Sequence, residues 1–146
     1  PMAMLPFIGY DAGDYLKHWI TLSGKANQAR LPRIFLANWF RRTADGGFAW
    51  PGFGDNPRVL KWAIERIEGR ADAVETPIGF IPTGGSIDLT GLDMTPANVE
   101  EAVRADPAEW VEELRGLEEW FARFGDSLPQ ELAAQLEELK KRFAEA

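Results

Sequence analysis

Residues 38 to 56 read NWFRRTADGGFAWPGFGDN and place Trp39, Phe40, Phe48, Trp50 and Phe53 beside the pair Arg41-Arg42 and among several glycines. Aromatic rings at this density have two uses, a protein core or a flat ligand that stacks on them. Phe53 favours the second, because in Pro51-Gly52-Phe53-Gly54 the backbone is held in a turn with little regular structure for a large ring to pack into. A base stacked on such a ring gains about 1–3 kcal/mol. Stacking does not choose among bases, whereas Asn56, three residues on, offers both an amide donor and an amide acceptor to a base edge. For the other rings a hairpin core and a stacking surface both remain open.

The surrounding charge suits an anionic ligand. Between Asp14 and Asp45 the chain holds Lys17, Lys25, Arg30, Arg33, Arg41 and Arg42 and no acid. Such a run is either a solvated basic surface or, beside aromatics, a place for a base joined to phosphates. Reaction chemistry is sparse. No Gly-x-x-x-x-Gly-Lys-Ser/Thr phosphate loop occurs, and the glycine pairs Gly46-Gly47 and Gly84-Gly85 are ordinary turn chemistry. Zero cysteines exclude disulfides and thiolate chemistry, and the single histidine, His18, excludes a multi-histidine metal site. His18 reads as a packed or hydrogen-bonded helix side chain. No residue is assigned a catalytic role, and no metal ligand is assigned.

The elements that must position the aromatic stretch follow from pattern. Tyr10 to Leu22 carries Tyr15, Leu16, Trp19, Ile20 and Leu22 at helical spacing and stops at Ser23-Gly24-Lys25. Ile34-Phe35-Leu36-Ala37 is a continuous apolar run expected to form a strand covered on both sides. Asp45-Gly46-Gly47 is a turn signal, which makes residues 38 to 50 a hairpin-like loop. Asn56-Pro57 reads as a helix start with Asn as cap; Leu60, Ala63, Ile64 and Ile67 form its apolar face, and Gly69 closes it. Thr76 to Pro82 is a short extended segment suited to a sheet edge.

Three capping signals follow, at Thr95-Pro96, Asp106-Pro107 and the Ser127-x-x-Gln130 box. The helix after Asp106 is expected to bury Trp110, Leu114, Leu117, Trp120 and Phe121, and the last helix Leu132, Leu136, Leu139 and Phe143. The fold class is therefore a mixed α/β fragment, with few short strands and a hairpin-like loop in the first 82 residues and a mainly helical C-terminal tail. Residues 1–94 are expected to form a nucleotide-binding part and 95–146 a helical segment packed on it.

The 146 residues suffice for one ordinary domain with a core, and 45% hydrophobic with 27% charged residues is a globular composition. The net charge of −7 lies entirely in residues 95–146, since residues 1–94 balance ten acids against ten bases. No apolar run approaches a membrane span, and PMAMLPFIGY lacks the basic region and long apolar stretch of a secretory signal, so the expected location is cytoplasmic.

The run Ile34-Phe35-x-x-Asn38-Trp39-Phe40-Arg41, then Phe48-x-Trp50-Pro51-Gly52-Phe53-Gly54-x-Asn56 and Arg58-Val59-Leu60-x-Trp62, resembles the C-terminal part of GTP-dependent phosphoenolpyruvate carboxykinase. Pro6-Phe7-x-Gly9-Tyr10-x-x-Gly13-x-Tyr15-x-x-His18-Trp19 and Thr76-Pro77-Ile78-Gly79-x-x-Pro82 extend the resemblance over nearly the whole chain. It implies conversion of oxaloacetate and GTP to phosphoenolpyruvate, GDP and carbon dioxide, in gluconeogenesis, with Mn2+ and Mg2+ held by residues outside this chain.

It further implies that guanine lies between phenylalanines, here Phe40, Phe48 and Phe53, with Phe53-Gly54-Asp55-Asn56 as the guanine-contacting run. The sequence departs from the family at Asp55, where Glu is usual, and at Asp11, where Asn is frequent. Family members are several domains long, so the expectation is a C-terminal piece, inactive alone, and an opening Pro1 without an initiator Met agrees with it. The implied partners are a guanine nucleotide (GTP or GDP) and the remaining N-terminal part of a monomeric enzyme, with neither nucleic acid nor membrane. A stand-alone nucleotide-binding or regulatory module and a fragment that binds nothing are the competing readings.

Overall fold

The computed structural model describes residues 2–146, with side chains from residue 4 onward. The fold is mixed α/β, with five α-helices and one two-stranded sheet among the described residues. The chain forms two compact units, one from the residues up to Pro32 together with Asp106–Ala146, the other from Arg33–Ala105. No described helix is long and apolar enough to cross a membrane.

The first unit is helical. Helix α1, Ala12–Lys25, starts where the Asp11 carboxylate accepts from the Gly13 amide at 2.7 Å. It runs through the Ser23-Gly24 pair expected to stop it, because Gly24 does not adopt the left-handed conformation of a helix terminator; extended Ala26 ends it instead. His18 is exposed, edge-on to Trp19 with ring centres 5.8 Å apart.

Helix α4, Pro107–Ala122, is capped by Asp106 as its Asp-Pro signal predicts, and α5 spans Gln130–Glu145. Trp110, near the start of α4, stacks on Phe143, near the end of α5, at 4.9 Å, so the two helices run antiparallel. Their predicted stripes face inward: Leu136 and Phe143 are buried, while Leu132, Leu139 and the five α4 positions are half-buried. The Ser127 box does not form. The Ser127 hydroxyl donates to the Phe124 carbonyl at 2.7 Å within the 3-10 turn Gly125–Ser127, and α5 begins after Pro129 with no side-chain cap.

The second unit is built on Trp50, Trp62, Ile87 and Val99, all buried, with Trp39, Val59, Ala63, Leu89 and Met94 packed against them. Helix α2, Asn56–Ile67, contributes Trp62, whose indole N–H reaches the Asp72 carbonyl at 3.3 Å. The face is only in part the expected one: Ala63 packs against the core, but Leu60, Ile64 and Ile67 are more than half exposed, and the Trp62 side is inside. Gly69 ends the helix at φ +73°, as read from sequence.

Strands β1, Ala73–Thr76, and β2, Gly79–Pro82, pair antiparallel in the register Ala73↔Pro82 to Thr76↔Gly79. The stretch expected to be one extended segment is thus a hairpin arm plus its turn, with Pro77 and Ile78 at the turn where no ladder N–H is required. Helix α3, Pro96–Val103, starts with a complete capping box between Thr95 and Asn98.

The run Ile34 to Ala37 is not a strand. It joins no ladder, Ile34 and Leu36 are 92% and 94% exposed, and only Phe35 touches the core, edge-on to Trp62 at 6.0 Å. A strand needs a neighbouring backbone for its amides and carbonyls, and no described segment supplies one.

Buried Gly84 holds α3 close. A Cβ there would lie 2.7 Å from the Pro96 carbonyl oxygen, whereas one on the adjacent Gly85 meets nothing within 4 Å. Gly84→Ala is expected to cost about 1–3 kcal/mol in urea-unfolding free energy, the scale of an overpacked core. Gly85→Ala, measured alongside, should leave that free energy nearly unchanged.

Candidate functional site

The aromatic stretch resolves into rings that turn inward and rings that turn out. Trp50 is buried and Trp39 half-buried in the second unit's core, while Phe40, Phe48 and Phe53 are exposed, Phe53 to 94%. A buried indole N–H needs an acceptor, and that of Trp50 has one in Asn56.

The loop that carries Phe40 and Phe48 is hairpin-like, as predicted. Arg42 and Phe48 form an antiparallel bridge, the Thr43 amide donates to the Gly47 carbonyl at 3.0 Å, and the Ala49 amide to the Arg41 carbonyl at 2.8 Å. Gly46 takes φ +86° at the tip. The Thr43 hydroxyl, and after it the Gly47 amide, donate to Asp45 and hold its carboxyl below the usual carboxylate range. Facing each other across the loop, Phe40 and Phe48 meet edge to face with centres 6.3 Å apart.

The arginine pair serves this loop. The Arg42 guanidinium lies 3.9 Å from the centre of the Phe48 ring and donates to the Gly46 carbonyl at 2.9 Å. Arg41 donates to the Arg104 carbonyl at 3.0 Å. One face of Phe48 is therefore covered by a cation.

Phe53, Gly54 and Asp55 form a 3-10 turn that feeds α2, entered through Gly52 at φ +106° and ψ −151°, a conformation open essentially to glycine alone. No described ring contacts Phe53. Gly54 is exposed and Asp55 half-buried. Asn56 is not the helix cap read from sequence: it is the first helical residue, and its side-chain oxygen accepts from the Trp50 indole N–H at 3.0 Å. The buried indole claims the oxygen that a cap would have turned to the helix amides.

Arg58 holds this turn, a role that sequence reasoning missed. Its Nε donates to Asp55 at 3.0 Å, and its two terminal nitrogens donate to the carbonyls of Asp88 at 2.7 Å and Thr90 at 2.9 Å. A guanidinium three positions after an acid at a helix start is the local signal for the first bond; the other two join segments thirty residues apart and leave no sequence trace.

Of the three phenylalanines, Phe48 alone borders either of two surface depressions. A shallow depression of about 230 Å3 beside Phe48 is lined also by Thr43, Pro51, Met94, Asp93 and Glu101, and reaches neither Phe40, Phe53 nor Asn56. Its two carboxylates disfavour phosphate. A second, of about 210 Å3 and mainly apolar, lies in the other unit between α4 and α5. Among the described residues no three His, Cys, Asp or Glu side chains come together as a metal site.

Arg58→Ala removes a charged donor from two carbonyls and a carboxylate, each such bond being worth about 1.5–3 kcal/mol at most. The expected result is a lower unfolding free energy, with faster amide hydrogen exchange at Asp55 and Asn56 than in the parent chain.

Comparison with known proteins identifies the family. A family description, phosphoenolpyruvate carboxykinase C-terminal P-loop domain, matches residues 1–142. The chain is 77% identical over 143 residues to phosphoenolpyruvate carboxykinase [GTP] of Paenarthrobacter aurescens (strain TC1), covering 98% of this chain and 24% of that protein. It is 74% identical over 145 residues to the enzyme of the same name from Arthrobacter sp. (strain FB24), covering 99% and 24%. To that of Anaeromyxobacter sp. (strain K) it is 49% identical over 146 residues, covering 100% and 24%. The chain thus spans about a quarter of the length of the curated relatives it matches. With matches of this extent and identity, the chain belongs to the GTP-dependent phosphoenolpyruvate carboxykinase family.

Proposed function

We propose that this chain supplies the guanine-binding surface of a GTP-dependent phosphoenolpyruvate carboxykinase, the enzyme that converts oxaloacetate and GTP to phosphoenolpyruvate, GDP and carbon dioxide in gluconeogenesis. The observation that carries the reading is the division of the aromatic stretch: Trp39 and Trp50 packed inward, and Phe40, Phe48 and Phe53 displayed outward. Phenylalanine faces bind the planar base; Gly54, Asp55 and Asn56 lie where its edge is read. The relatives are named for GTP, which supports the choice of base.

The rest of the reaction belongs to the remainder of the enzyme. Manganese and magnesium, the metals of this chemistry, find no fitting ligand set among the described residues, so no step here runs through a metal. The signature phosphate loop is likewise not in this sequence. Large apolar side chains left open at Ile34 and Leu36, and at Leu60, Ile64 and Ile67 on α2, support a partner. The remaining three quarters of such an enzyme, in the cytoplasm, is that partner.

Two outcomes test the reading. In a complete enzyme containing this chain, Phe53→Ala should weaken GTP binding by about 1–3 kcal/mol, one lost stacking face, with the melting temperature unchanged because the ring is almost fully exposed. An unaltered GTP dissociation constant with a lowered melting temperature would make Phe53 a packing residue. The purified 146-residue chain should form no phosphoenolpyruvate at any Mn2+ concentration, since phosphoryl transfer depends on a positioned metal and a phosphate cradle. Metal- and GTP-dependent product from the chain alone would overturn its role as a binding part.

A further inference from the structure

Trp50 and Asn56 form a unit whose chemistry has one solution. The indole nitrogen is a donor without acceptor capacity, so the Asn56 atom 3.0 Å from it is the amide oxygen, whichever way the side chain is otherwise turned. Trp50 cannot follow a ligand, because it is 7% exposed and wedged among Trp62, Ile87 and Val99. The amide is therefore pinned by its oxygen. Its NH2 end is free, since no described residue accepts from it, and Asn56 is only half-buried. An asparagine left to rotate offers a base either a donor or an acceptor; this one offers a donor alone.

We propose that Trp50 is a specificity-positioning residue, which holds Asn56 so that its NH2 donates to the oxygen at C6 of a bound purine. This rests on the guanine-nucleotide reading above. Guanine carries an acceptor oxygen at C6, and adenine carries an amino donor there, so the pinned NH2 meets a partner in one and a second donor in the other. The discrimination comes from the core. A buried ring that touches no ligand selects the base by denying its neighbour one of two rotamers, and Arg58 keeps the turn carrying Asn56 in place while it does so.

The test uses a complete enzyme containing this chain and the dissociation constants of GDP and ADP, read as a ratio because a general loss of stability weakens both alike. Trp50→Phe keeps a ring in the core and removes the N–H, which frees the amide to turn its oxygen toward adenine. The GDP preference should narrow about three- to tenfold, the worth of one hydrogen bond. Asn56→Asp keeps an oxygen for Trp50 and replaces the outward NH2 with a carboxylate oxygen that repels the C6 oxygen of guanine. GDP should weaken more than tenfold while ADP binding holds or improves. An unchanged ratio in Trp50→Phe overturns the proposal; should that variant fail to fold, an unchanged ratio in Asn56→Asp overturns it alone. A parent enzyme with no preference for GDP over ADP would instead overturn the guanine reading itself.

Discussion

Burial of two tryptophans, Trp50 and Trp62, is the constraint on which the second unit depends. Each indole removes a large apolar surface from water, at roughly 25 cal/mol per Å2, and each brings an N–H that would cost about 1–3 kcal/mol if left without an acceptor. Both are satisfied, Trp50 by the Asn56 amide and Trp62 by the Asp72 carbonyl. The first bond reaches from the core to the candidate site. Packing energy in one place thereby sets hydrogen-bonding capacity in another, while Phe40, Phe48 and Phe53 stay on the surface.

That division also explains why α2 turns the face it does. Trp62 outweighs Leu60, Ile64 and Ile67, because one indole fits the space between Val59, Ala63 and the residues around Ile87 and Val99. The aliphatic stripe is left facing out. Each of those side chains is more than half exposed and so forgoes about 1–2 kcal/mol of what full burial would contribute.

Charge plays a smaller part. The acidic surplus sits on the helices, where Arg115 pairs with Glu112 and Glu119 and Lys140 with Glu118 and Glu137. Exposed pairs of this kind contribute about 0–1 kcal/mol each. They solvate α4 and α5 and leave the inward aromatic stack of Trp110 on Phe143 to hold the two helices together. Near the candidate site the arginines act differently: Arg41, Arg42 and Arg58 all donate to backbone carbonyls, so their charge is used to shape loops.

What could be read from the sequence was what is decided within a few residues. The Thr95 and Asp106 caps, the Gly69 stop, the Asp45-Gly46-Gly47 turn and the inward stripes of α4 and α5 depend on bonds and contacts one to four positions apart, and each stands in the structure as its residues imply. The displayed phenylalanine in Pro-Gly-Phe-Gly was legible for the same reason, since Gly52 turns the chain sharply just before it. Tertiary structure decided the rest. Whether Ile34 to Ala37 pairs as a strand depends on a neighbouring backbone, which face of α2 is covered depends on what fits against Trp62, and whether Asn56 caps a helix or serves an indole depends on where Trp50 is buried. Each is a competition between partners distant along the chain, and local pattern carries no term for the partner that wins.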